Sequence, residues 1–129
     1  MDANVLLRFL TGKPPEMADR AGRLIGRAAL GEASLRIHPI VVAETVWVLE
    51  SFYEYSKSEI SGALLPLLSD HGLKIEERKA VLGALELMTQ SSVDFADALL
   101  AETAVSRGES IVSFDRDFRR LGVGWTEPR

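Results

Sequence analysis

The chain has 129 residues, of which 47% are hydrophobic and 26% charged, with a formal net charge of −4 and no cysteine. That length predicts one globular domain, residues 1–129, with a real core, and the missing cysteine excludes disulfides, thiolate zinc sites and cysteine nucleophiles. The acidic balance argues against a dedicated nucleic-acid binder, although acids gathered around cations would leave a less acidic outer surface on which local Lys and Arg still meet phosphates.

Asp2 to Leu7 reads as the end of a short apolar strand that turns into helix at Arg8-Phe9-Leu10. Pro14 and Pro15 open a helix through about Leu30, with Met17, Ala21, Leu24, Ile25 and Ala28 at helical spacing, Asp19, Arg20, Arg23 and Arg27 on the other face, and Gly31 near its stop. Ser34 to His38 alternates like a strand, and Pro39 begins an apolar helix from Ile40 to about Tyr55. Ser58 with Glu59 predicts a further helix, kinked by Pro66 and ending near Gly72. Leu73 to Ile75 reads as a brief strand before a helix over Glu77 to Thr89. Asp94 caps a helix that Gly108 stops after Arg107. Ser110 to Phe114 is a strand candidate, Arg116 to Leu121 a short helix, and Val123 to Trp125 a last strand.

Short strands alternating with longer helices predict an α/β fold, a parallel sheet with helices on both faces. Ligands of such sheets bind beyond the carboxyl ends of the strands, where Asp2 and Asp115 fall. No apolar stretch approaches the roughly 18 residues that a membrane span needs, and no basic segment followed by a signal-like apolar run opens the chain. The expectation is a cytoplasmic protein without membrane association.

Four carboxylates, Asp2, Glu44, Asp97 and Asp115, lie in or beside apolar runs. An isolated ionised carboxylate in a core is costly, so such a group neutralises, pairs or holds a metal. Glu44 has Val41 and Val48 one turn away on either side, which argues for a face turned away from solvent and for a ligand; the alternative is a helix acid favoured by the dipole. Asp97 is the third residue after the Asp94 cap, where capping and ligation are compatible. Asp115 taken alone reads as the cap of the short helix, Asp117 as either a first-turn acid or an outer ligand, and Asp2 alone as an acid near a terminus.

Jointly, the strand–helix alternation brings the first and fourth strands together with Asp2 and Asp115 at one edge, and two helices deliver Glu44 and Asp97. Carboxylates about 4 Å apart repel by roughly 4 kcal/mol per pair at an effective dielectric of about 20, so such a cluster calls for cations. With only His38 and His71 besides, both read as ordinary structural or surface residues, the ligands are oxygens and the metal is Mg²⁺ or Mn²⁺.

At Asp2-Ala3-Asn4-Val5-Leu6-Leu7-Arg8, at Ala43-Glu44 with Trp47-Val48-Leu49, at Asp94-Phe95-Ala96-Asp97-Ala98-Leu99-Leu100 and at Ser113-Phe114-Asp115-Arg116-Asp117-Phe118 the chain resembles the PIN-domain nucleases, specifically the VapC-type toxins of toxin–antitoxin pairs. The likeness runs nearly end to end, and its specificity lies in four pieces in order. It implies a three-layer α/β/α sandwich with a short-stranded parallel sheet, a homodimer, and an antitoxin that occludes the site. It further implies that Asp2, Glu44, Asp97 and Asp115 form the acidic metal-binding quartet, with Asp117 auxiliary, Asn4 steadying the cluster, and Ser113 supplying the hydroxyl usually given by Thr. One departure stands out: the family's first strand has several apolar residues before its Asp, whereas only Met1 precedes Asp2, through either a misassigned start or a clipped strand.

The mechanism so implied is RNA hydrolysis with one or two Mg²⁺ ions, leaving 5′-phosphate and 3′-hydroxyl ends. Arg8, Arg116, Arg119 and Arg120 are candidate phosphate contacts, the last three equally the solvated face of a short helix. A phosphatase of the haloacid-dehalogenase type is disfavoured by Asn4, which stands where its second Asp belongs. A housekeeping RNA-processing nuclease and a catalytically silent binding module remain as alternatives. Trp47 and Leu49 are expected in the core, and Phe52, Tyr53 and Tyr55 on either a core or a partner surface.

Overall fold

In the computed structural model, which describes residues 1–70 and 72–129, the chain forms two compact units, 1–76 and 77–129. The first unit holds α1 (Ala3–Thr11), α2 (Pro15–Ala29), β1 (Leu35–Ile37), α3 (Pro39–Ser51), α4 (Lys57–Leu68) and β2 (Leu73–Ile75). The second holds α5 (Arg78–Ser91), α6 (Phe95–Arg107), β3 (Ile111–Val112), a 3₁₀ turn (Arg116–Arg120) and β4 (Trp125–Thr126). The α/β class expected from the alternation is borne out, and both strand pairs are parallel.

Residues 2–7 correct the sequence reading. No strand forms there: Asp2 is the N-cap of α1, its Oδ1 accepting from the Val5 N–H at 3.3 Å. The reason lies in the apolar spacing, because Ala3, Leu6 and Leu7 fall on one helical face and are all buried. Beside β1 the Met1 amine donates to the Arg36 carbonyl at 3.0 Å. Gly12 closes α1 in the left-handed region at φ 70°, its N–H returning to the Arg8 carbonyl.

β1 and β2 pair Leu35 with Leu73 and Ile37 with Ile75, so Ile37, Leu73 and Ile75 enter the core of the first unit. α1 packs on α2 and α3, and α3 on α4. The helix expected to run to Tyr55 ends at Ser51, and the chain folds back so that the Tyr55 N–H reaches the Leu49 carbonyl at 2.9 Å. α4 is capped by Ser56 rather than Ser58: Ser56 Oγ accepts from the Glu59 N–H at 3.1 Å and Glu59 Oε1 accepts from the Ser56 N–H at 3.0 Å. It continues through Pro66 and stops at Leu68. His38 is structural, as expected: Nδ1 accepts from the Ile40 N–H at 3.1 Å. His71 lies outside the described residues.

In the second unit α5 packs on α6, and Ala84 of α5 and Ala98 and Ala101 of α6 are buried. α6 begins and ends where the sequence predicted, between Asp94 and Gly108. The last two strands are shorter than expected, two residues each, with Ile111 opposite Trp125 and Val112 opposite Thr126. Among the described residues, no helix is long and apolar enough to cross a membrane.

Candidate active site

Within residues 77–129, β3 hands the chain to a turn built from its own side chains. Ser113 Oγ accepts from the Asp115 N–H at 2.9 Å, and Asp115 Oδ1 accepts from the Asp117 N–H at 2.9 Å. The second bond caps the 3₁₀ turn, so the capping expected of Asp115 is present, and it engages one oxygen only. The hydroxyl expected of Ser113 has a definite use: it fixes the backbone of Asp115.

α6 supplies Asp94 and Asp97. Asp94 occupies the N-cap position, yet its side chain makes no capping bond. No donor among the described residues reaches the carboxylate of Asp97, which is half-buried. Burial raises the pKa of Asp97, and the carboxylates of Asp115, Asp94 and Asp117 raise it further. Four acids from two segments thus share one field, and the least exposed of them has no compensating partner. Their all-oxygen chemistry fits a hard divalent cation. Within neither unit do three His, Asp or Glu side chains among the described residues already stand in a metal-holding array.

The arginines after β3 differ in their engagements. Arg116 pairs with Glu127 at 3.4 Å, and Arg120 pairs with Asp117 at 3.8 Å while donating to the Ser91 carbonyl. Arg119 lies over the Trp125 ring, 5.7 Å from its centroid. Of the three, Arg119 alone has no carboxylate partner among the described residues.

The first unit holds the other two expected ligands. Asp2 and Glu44 are both exposed, which corrects the reading of Glu44 as turned from solvent. α3 buries Val42, Thr45, Val46 and Leu49, leaving Ile40, Glu44 and Trp47 outward. Trp47, expected in the core, is 68% exposed, whereas Leu49 is fully buried as expected. Phe52 is exposed and stacks edge-on with Tyr53 at 5.1 Å, and Tyr53 and Tyr55 are half-buried.

Asn4 and Arg8 line a groove of about 470 Å³ between α1 and α2, together with Val5, Met17, Arg20 and Leu24. Sequence reasoning had placed Arg20 on the far face and missed it as a partner of Arg8. The signal was available, since Met17, Arg20, Ala21 and Leu24 follow the three-and-four spacing of one helix face. Trp125 was read only as a strand residue, and no local spacing connects it to Ser113 or Arg119.

A family model described as "PIN domain" matches residues 1–124, spanning both units. The chain is also similar to a VapC ribonuclease of Aquifex aeolicus (strain VF5), 26% identical over 129 residues, covering 99% of this chain and 95% of that relative.

Proposed function

The chain belongs to the PIN-domain family, and from that premise we propose that it is a metal-dependent endoribonuclease, the toxin of a type II toxin–antitoxin pair. The reading is supported by the similarity to a VapC ribonuclease over nearly the whole of both chains. The single structural observation that carries it is Asp97, half-buried, without a donor, and held protonation-prone by burial and by Asp115, Asp94 and Asp117. A fold that keeps such a group without a partner gains from a cation there.

Asp97, Asp115 and Asp117 are the proposed ligands of the second unit. Asp2 and Glu44 take the same role by their match to the family's acidic residues, with Asn4 and Ser113 in support. A bound Mg²⁺ or Mn²⁺ supplies Lewis-acid activation of water and neutralises charge on the phosphodiester. The chain's own residues do the rest. One acid of the cluster orients the attacking water as base. Arg119 and Arg8 are the cations left to hold RNA phosphates. Arg116 and Arg120 contribute less, because their surface ion pairs must first be released.

The partners proposed are RNA, a cognate antitoxin and a second copy of the chain in the cytoplasm, with the outward Ile40, Trp47 and Phe52 available to a protein surface. The test is cleavage of structured RNA by purified protein in Mg²⁺, Mn²⁺ or EDTA, beside Asp97→Asn. Cleavage is expected only with metal and only in the parent protein. Undiminished cutting in EDTA, or by the variant, refutes the reading.

A further inference from the structure

We propose that Trp125 is a positioning residue serving two groups of the candidate site at once, fixing Asp115 through its indole N–H and Arg119 through its ring face. The inference rests on the nuclease reading for its catalytic consequence, but the contacts it invokes all lie within residues 77–129.

Trp125 Nε1 donates to the Ser113 carbonyl at 3.0 Å. In the strand register Trp125 faces Ile111, so its side chain reaches just past the end of β3 to meet Ser113. The Ser113 N–H donates to the Thr126 carbonyl at 3.1 Å, and its hydroxyl accepts from Asp115. Ser113 is therefore held at its N–H, its carbonyl and its side chain. Without the indole bond, this segment would depend on a strand pair two residues long, and so short a ladder frays. β4 is drawn in tightly, because Gly124 lacks the Cβ that would stand 2.7 Å from Ser110 Oγ. From Ser113 the hold passes through the Asp115 N–H and on from the Asp115 carboxylate to the Asp117 N–H.

The ring's other contact concerns charge. Arg119 sits over the face of Trp125 while its Nε donates to the Arg116 carbonyl at 3.4 Å. A guanidinium placed on an aromatic face is oriented without being neutralised, unlike Arg116 and Arg120, which face carboxylates. One indole thus provides separable handles: the N–H positions an acid, and the face positions a cation free for a phosphate.

Trp125→Phe keeps a face and deletes the donor. It is expected to speed amide hydrogen exchange across residues 113–118, weaken Mn²⁺ affinity about ten-fold and lower kcat about as much, as loss of a group supporting a metal ligand does, with KM nearly unchanged. Arg119→Gln is expected to raise KM several-fold while kcat holds, and Trp125→Leu to show both effects. Should Trp125→Phe fail to fold by circular dichroism, Ser113→Ala removes the next link and should reproduce its exchange and Mn²⁺ phenotype. Parent-like exchange and Mn²⁺ affinity in the folded Trp125→Phe, or in Ser113→Ala, overturn the proposal, as does an Arg119→Gln defect confined to kcat. If the parent protein itself neither binds Mn²⁺ nor cuts RNA, the nuclease reading fails, and the exchange data still decide whether the indole holds the turn.

Discussion

Gly72 meets Ala28 backbone to backbone: a Cβ on Gly72 would stand 2.5 Å from the Ala28 carbonyl oxygen and 2.5 Å from Ala29 Cα. Neither atom is the tip of a flexible side chain, so a methyl group there forces apart the end of α2 and the entry to β2. Gly72→Ala is therefore expected to destabilise by about 1–3 kcal/mol, the usual range for overpacking, read as a lower urea midpoint. Gly83→Ala offers the contrast. The three atoms nearest its Cβ all belong to the Glu102 carboxylate, the first at 2.9 Å, and that group can swing aside. There the gain in helix propensity, up to about 1 kcal/mol, is expected to leave stability equal or higher.

Asp97→Asn is expected to stabilise the protein in metal-free buffer while abolishing cleavage. A carboxyl whose folded pKa is raised binds more protons folded than unfolded, so it destabilises at high pH and ceases to do so below its unfolded value of about 4. The Asn variant should thus melt higher at pH 7 and lose that advantage as the pH falls to about 4. Solvent screening keeps the effect to a few tenths of a kcal/mol, about 1–2 °C in Tm for a chain of this size. A thermal scan across pH in EDTA checks the sign.

Ser56→Ala should cost about 1 kcal/mol through loss of the N-cap of α4. Glu59 responds to pH in the opposite sense to Asp97. The Ser56 backbone N–H, then its hydroxyl, lower the Glu59 pKa. Its contribution is present above the unfolded pKa and is lost as the pH falls from there through the lowered folded value. Glu59→Gln is expected to flatten this part of the acid limb in a pH series of melts.

Neighbouring positions on α3 should differ sharply. Leu49 is fully buried, and Leu49→Ala is expected to cost about 2–5 kcal/mol. Trp47→Ser removes a larger side chain from an outward face and should stay within about 0.5 kcal/mol in the isolated monomer. Any larger loss that depends on protein concentration would mark Trp47 as part of a self-association surface, which sedimentation reads directly.

Much of the architecture was legible along the chain where single residues punctuate it. Pro39 opens α3, Gly108 ends α6, and Leu73–Ile75 is a strand as predicted. The failures have particular causes. Asp2 could end a strand or cap a helix, and tertiary burial of Ala3, Leu6 and Leu7 decided for the helix. α3 is apolar nearly all round, so periodicity could not distinguish the face of Val42 and Leu49 from that of Ile40, Glu44 and Trp47. Ser58 drew attention because it adjoins Glu59, although the reciprocal cap needs a three-residue offset, which Ser56 has. The sequence marks Asp97, Asp115 and Asp117 as acids of one cluster but Asp94 only as a cap, whereas the Asp94 carboxylate makes no capping bond and adds to the field that raises the Asp97 pKa. The ties to Trp125 were invisible, because a long-range indole bond leaves no local spacing.

The contact from Arg120 to the Ser91 carbonyl carries a consequence for ionic strength. It places a cation against the final turn of α5, where the exposed carbonyls form the negative pole of the helix. The attraction of that exposed cation to the helix pole is screened by salt, and so is the repulsion among Asp94, Asp97, Asp115 and Asp117, which acts through a field damped over about 10 Å at 0.1 M salt. Sodium chloride should consequently firm up the start of α6, slowing its proton exchange with solvent.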